Sequence, residues 1–178
     1  PSDVSWQLGG TYEDQMDTFF DLTILMVLII ILVFIVMAAQ FESLTDPFVI
    51  MFSIPFAFTG IILGLAITQT PLGVMALIGL IMLMGIVVKN GIVLIDYTIL
   101  CRERGMGILT AVVTAGKSRL RPVLMTTLTT VLGMIPMAVG TGEGSEMWRS
   151  MGMTVAWGLS VSTLITLVIV PVVYLSLI

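Results

Sequence analysis

Five long apolar runs, each closed by a short polar stretch, set the pattern of this chain. They are Leu22–Ala39, Phe48–Thr68, Leu72–Ile95 (interrupted only by Lys89 and Asn90), Val123–Val139 and about Met151–Leu175. About 20 mainly apolar residues in a helix cross the hydrocarbon core of a bilayer. The pattern therefore predicts five spanning helices, at about 17–39, 47–68, 71–98, 122–140 and 150–175. Ahead of the first, Thr11 with Asp14 three residues on reads as a helix start. Glu13, Asp14, Asp17 and Asp21 crowd its first turns, where the helix dipole favours acids. Asp46 is expected as the N-cap of the second span, with Pro47 in its first turn. Gln69-Thr70-Pro71 repeats that device before the third, and Pro122 is expected to open the fourth. Pro55 predicts a kink. Gly60 and Gly64 fit a close-packing face between helices, or chance spacing in a chain with 17 glycines. Before all of this, Val4–Leu8 alternates apolar and polar like a half-buried strand, and Gly9-Gly10 turns the chain.

Composition agrees with the pattern. The chain is 58% hydrophobic and 10% charged, with a mean hydropathy of +1.16, whereas a soluble domain is nearer half apolar and a quarter charged. An all-α integral membrane fold is expected. Cys101, the one cysteine, excludes an internal disulfide, and with no histidine the commonest metal ligand and proton shuttle is missing. The 14 methionines are scattered and read as adaptable packing rather than a copper path. No phosphate-binding glycine loop, metal cluster or nucleophile–base pair stands out, so no cofactor, metal or enzymatic role is expected, and nothing suggests nucleic acid. Pro1 is not an initiator Met and Ile178 carries no flanking charge. The sequence is expected to be a piece of something longer.

Charge sets the expected orientation. Arg102, Arg104, Lys117, Arg119 and Arg121 are five of the seven basic residues, and all lie between the third and fourth spans. By the positive-inside rule this loop, 101–121, is cytoplasmic. Alternation then puts the N-terminus outside and the C-terminus inside. Within the loop, Met106–Gly116 is mildly amphipathic and suits the membrane surface. Trp148 suits an outer interface anchor.

The candidate chemistry is polar side chains at bilayer depth. A lysine there costs roughly 2.5–3.5 kcal/mol, and Lys89 follows 17 uncharged residues, Leu72–Val88. Asp96 lies about two turns further along the same face, but helical side chains lean toward the N-terminus, so Lys89 leans away from it. No other acid sits at a matching depth, which places the counter-charge on absent helices or a partner chain. Alternatively, Lys89 snorkels to the cytoplasmic surface or sits neutral. Asp96, beside Tyr97, is either functional or simply solvated near the interface, and Asn90 either serves a relay or cross-links helices. Thr126, Thr129 and Thr130 share one face, with Thr126 two turns above Arg119. Threonines of this kind commonly satisfy backbone carbonyls around a kink, here at Gly133 and Pro136. Thr127 and Thr129 are assigned that role, and Thr126 stays open.

Three stretches carry a resemblance that covers essentially the whole chain: AAQFESLTDP at 38–47, MGIVVKNGIVLIDY at 84–97 and RLRPVLMTTLTTVLGMIPMAVGTGEGSE at 119–146. The chain resembles the C-terminal membrane half of a resistance–nodulation–division (RND) exporter of the hydrophobe/amphiphile efflux branch, helices eight to twelve. Residues 1–10 then look like the tail of a periplasmic porter domain, and 11–178 like the transmembrane domain. The resemblance implies a proton-driven antiporter in the bacterial inner membrane, a homotrimer exporting amphiphilic drugs, with a periplasmic adaptor and an outer-membrane channel as further partners. It also implies a proton relay in which Lys89, Thr126 and Arg119 match the family's lysine, threonine and arginine, and Asn90 and Asp96 match flanking polar positions. The relay's aspartate pair belongs to the other membrane half. The rival expectation is a non-transporting membrane scaffold whose partner helices supply the acid.

Overall fold

A computed structural model describes residues 10–177. Among them are six helices and no strand: α1 (Thr11–Phe41), α2 (Thr45–Met51), α3 (Ser53–Thr68), α4 (Val74–Glu103), α5 (Ile108–Val139) and α6 (Ser145–Leu177). The helices α2 and α3 form one broken span, so five segments are long and apolar enough to cross a membrane. The strand expected at Val4–Leu8, and with it nearly all of the 1–10 segment, lies outside the described residues.

Several helix boundaries differ from expectation, each for a local reason. The second span breaks at Phe52, three residues before Pro55. Proline lacks the N–H that would bond the carbonyl four residues back, Met51, so the ladder opens there rather than at the ring itself. Asp46 is not the N-cap. That position is Leu44, and Asp46 is buried in the first turn of α2, while the Ser43 hydroxyl accepts from Thr45 N–H at 3.2 Å. Pro71 lies in the α3–α4 link rather than in a helical turn. Its carbonyl accepts from Gly73 N–H at 3.0 Å and from the Ser150 hydroxyl at 3.2 Å, which ties the link to the start of α6. Pro122 does not open a helix: Met106–Gly116 and the fourth span merge into α5, with Pro122 and Pro136 inside it. One lost hydrogen bond costs less than a second pair of helix ends in lipid. At 32 residues α5 is about 48 Å long, so its first turns extend beyond a ~30 Å core.

The helix α6 packs against α2, α3, α4 and α5, whereas α1 touches only α2 and α4. Gly79 meets Met151 and Thr154, Leu83 meets Gly158, and Arg102 Nη1 donates to Tyr174 Oη at 3.2 Å. These contacts ascend together, so α4 and α6 run parallel. Ala138 meets Gly152 and Thr127 meets Thr163, so α5 runs antiparallel to α6. Lipid offers no hydrophobic drive to bring helices together, and close packing over small residues takes that role. The Gly60/Gly64 face does this. A methyl at Gly60 would stand 2.8 Å from Val161 Cβ, and one at Gly64 would collide with Trp157. Outside these seams the bundle is uncovered. On α1, Leu28, Ile31, Leu32 and Ile35 are exposed, and on α5 so are Met125, Leu128, Leu132 and Ile135. Faces of that size belong against lipid or further helices.

Candidate functional site

Lys89 is at the midpoint of the 30-residue α4, about 22 Å from either end. Any symmetric placement of this ~45 Å helix across a ~30 Å core leaves Lys89 deep within it. The α4 face that carries it does not turn into the bundle: Lys89 is exposed on the outer surface of the isolated chain. Inward positions are taken by Val87, Val88 and Gly91, because α2 approaches α4 there. A methyl at Gly91 would stand 2.8 Å from Ile50 Cγ2.

Two hollows meet at this lysine. One, of about 370 Å³, lies between α4 and α5, with Ile86, Lys89 and Asn90 on one wall and Met125, Thr126, Thr129 and Thr130 on the other. The second, of about 300 Å³, lies between α1 and α4, with Val36, Met37 and Gln40 facing Gly85, Lys89 and Ile92. Neither lining contains a carboxylate, so an ammonium here needs an anion from outside these walls.

Of the five residues singled out in the sequence, Lys89, Asn90 and Thr126 come together in the first hollow. Asp96 and Arg119 do not line it. The two helices are antiparallel, so seven residues on along α4 and seven back along α5 lead to a second meeting point. There the Arg119 guanidinium carbon stands 4.7 Å from the centroid of the Tyr97 ring, a cation–π contact, and Arg119 Nε is buried without a hydrogen-bond partner. Asp96, beside Tyr97, is exposed.

The threonines divide as well. Thr126 donates to Val123 O at 2.9 Å, Thr129 to Met125 O at 2.8 Å and Thr130 to Thr126 O at 2.9 Å. Each hydroxyl satisfies its own helix in the ground state while its side chain lines the hollow. Thr127 does not follow the backbone-satisfying role expected of it. It shares a hydrogen bond with Thr163 on α6 at 3.2 Å. Sequence reasoning also passed over Tyr97 as a partner. The available signal was its spacing from Lys89, eight residues along α4 and about 80° round it, opposite a basic residue of α5.

The AcrB/AcrD/AcrF family model matches residues 1–178. The chain is 42% identical over 175 residues to the swarming motility protein SwrC of Bacillus subtilis, covering 98% of this chain and 17% of that protein. It is 39% identical over 171 residues to the cobalt-zinc-cadmium resistance protein CzcA of Cupriavidus metallidurans, covering 96% and 16%. To the multidrug resistance protein MdtC of Proteus mirabilis it is 35% identical over 176 residues, covering 98% and 17%. A crystal structure of a heavy metal efflux pump superposes with a TM-score of 0.84 at 30% identity, over 98% of this chain and 18% of that one. The chain thus spans about a sixth of the length of these relatives. With the family model matched from end to end and the same helical arrangement present in a solved efflux pump, the chain belongs to the AcrB/AcrD/AcrF family of RND transporters.

Proposed function

We propose that these five spans form part of a proton-driven efflux transporter that exports amphiphilic compounds, and that Lys89, Asn90, Asp96, Arg119 and Thr126 belong to its proton relay. The supporting observation is the hollow that gathers Lys89, Asn90 and Thr126 at mid-helix, open to the outside of the bundle and without a carboxylate in its walls. In this reading, helices from the rest of the transporter close the hollow and bring acids to Lys89. A deprotonated carboxylate offsets the cost of a buried ammonium. Protonation removes that attraction, and the ammonium turns to Asn90 and Thr126, the polar groups within the same hollow. Moving one charge between two seats favours two different α4–α5 spacings, so proton binding shifts the population between them. Arg119 on Tyr97 holds the two helices together about two turns away, and Asp96 stands at that same end.

The function is carriage rather than conversion of substrate. Residues 1–10 are assigned to a periplasmic porter domain and 11–178 to the transmembrane domain. The concentration of basic residues between α4 and α5 supports a cytoplasmic position for that turn, with the N-terminus periplasmic, the C-terminus cytoplasmic and the protein in the bacterial inner membrane. The remainder of the transporter is the first partner. A homotrimer docked to an adaptor and an outer-membrane channel completes the assembly in this reading.

The test is Lys89→Met in the intact transporter that carries this chain. Export of a fluorescent amphiphile is expected to fall to background with abundance unchanged. Undiminished export overturns the relay. Lost abundance with normal export per remaining molecule assigns Lys89 to assembly rather than to the relay.

A further inference from the structure

We infer that Thr163 on α6 is a positioning residue for the relay: through its hydrogen bond to Thr127 it fixes the rotation of α5 that turns Thr126 toward Lys89. The inference rests on the relay reading for its consequence, though not for its geometry.

Among the four central threonines of α5, Thr127 alone bonds a neighbouring helix; the others bond their own backbone. Thr127 is 8% exposed and Thr163 3%, so water does not compete for the pair. Adjacent residues on a helix are about 100° apart. A tie at Thr127 therefore sets the azimuth of Thr126 directly, and a modest rotation that breaks it carries Thr126 along the wall of the hollow. Most of the central stretch of α5 is uncovered. Besides this pair it is held by apolar contacts, which have no fixed direction, at Val123 and Val131, by Ala138 on Gly152 at one end and by Arg119 on Tyr97 at the other.

The α6 side is also unusual. Thr154 and Ser160 bond carbonyls four residues back in α6, whereas Ser162 and Thr166 are buried with no partner. Thr166 lies three residues from Thr163, on nearly the same face. It supplies an internal control: the same chemistry, equally buried, without the tie.

The charged and titratable groups facing this stretch are Lys89 from α4 and, about two turns away, Asp96 and Tyr97 from α4 and Arg119 from α5. The α6 helix brings hydroxyls at this level, and α1 brings Gln40 and apolar chains. In the relay reading, Thr126 helps to hold the ammonium after the partner carboxylates take up protons. Misplacing Thr126 disfavours that protonated state, so export should require more acid.

Two measurements on the intact transporter test this. In membranes, the yield of a short bis-thiol cross-link between Asn90→Cys and Thr126→Cys reads the azimuth of α5. Adding Thr163→Val should lower it about fivefold, the population change that one net hydrogen bond sets. In vesicles otherwise carrying the native chain, Thr163→Val should shift the pH midpoint of export about 0.7 unit to the acid side, the same fivefold change read as a proton equilibrium. Thr163→Ser should restore both readouts, and Thr166→Val should alter neither. An unchanged cross-link yield overturns the inference. So does a lowered yield with an unmoved pH profile, or an equal shift from Thr166→Val. The cross-link reports α5 rotation whether or not protons drive export, so failure of Lys89→Met to stop export would refute the relay without obscuring this result.

Discussion

Gly152 brings the backbone of α6 close against that of α5, and its replacement by alanine gives a sharp test of the bundle. A methyl there would lie 2.9 Å from Ala138 N, 3.2 Å from Ala138 Cα and 3.2 Å from the Met137 carbonyl carbon. Carbon atoms in contact rest at about 3.5–4.0 Å, so the helices must part by at least about 0.3 Å. All three obstacles are backbone atoms, and no rotamer change relieves them. Overpacking of this kind costs about 1–3 kcal/mol, against about 0.8–1 kcal/mol returned because alanine forms helix better than glycine. The net is a loss of up to about 2 kcal/mol. Gly133, on α5, is the control, since nothing lies within 4 Å of a methyl placed there; Gly133→Ala gains propensity alone. Thermal melting of the intact transporter in nanodiscs is expected to rank Gly133→Ala at or above the parent and Gly152→Ala below it. The rank suffices, because a multidomain assembly has no single two-state free energy. A Gly152→Ala variant melting as high as Gly133→Ala would refute the α5–α6 packing described above.

Two further outcomes test other parts of the fold. Tyr97→Leu removes the ring beneath Arg119 and should cost about 0.5–2 kcal/mol, lowering the melting temperature, while Tyr97→Phe keeps the ring and should melt like the parent; equal losses from both would contradict the cation–π contact. Cys101, 1% exposed, should resist a maleimide in native membranes and react after denaturation, as read by peptide mass; labelling in the native state would contradict the packing of α4 on its neighbours.

The spans were legible because lipid enforces long apolar helices and leaves few alternatives. Residues 84–97 and 119–146 also carried enough of the family pattern to single out Lys89, Asn90, Asp96, Arg119 and Thr126 as one set; the hollow gathers Lys89, Asn90 and Thr126 and leaves Asp96 and Arg119 outside its lining. What was hidden depended on contacts between helices. The sequence marks Pro122 as a helix start, because a proline with charges on its N-terminal side looks like an interface. In the structure, continuity of the backbone ladder outweighs one missing N–H. Pro55 announced a break but not that it would fall at Phe52, on the far side of the lost bond. Asp46 had the residue type of a cap, yet burial claimed it. Helical spacing set Thr127 off the face shared by Thr126, Thr129 and Thr130, but only the antiparallel register with α6 sets it against Thr163. Tyr97 under Arg119 needs the α4–α5 register in the same way.

The central claim is that Lys89 couples proton movement to transport, and proton flux measures it most directly. The intact transporter, reconstituted in proteoliposomes with a pH-sensitive dye inside, should show substrate-stimulated proton movement. Lys89→Met should abolish that flux while the reconstituted protein keeps its oligomeric state and melting temperature. Substrate-stimulated proton flux at the parent rate in Lys89→Met would contradict the account.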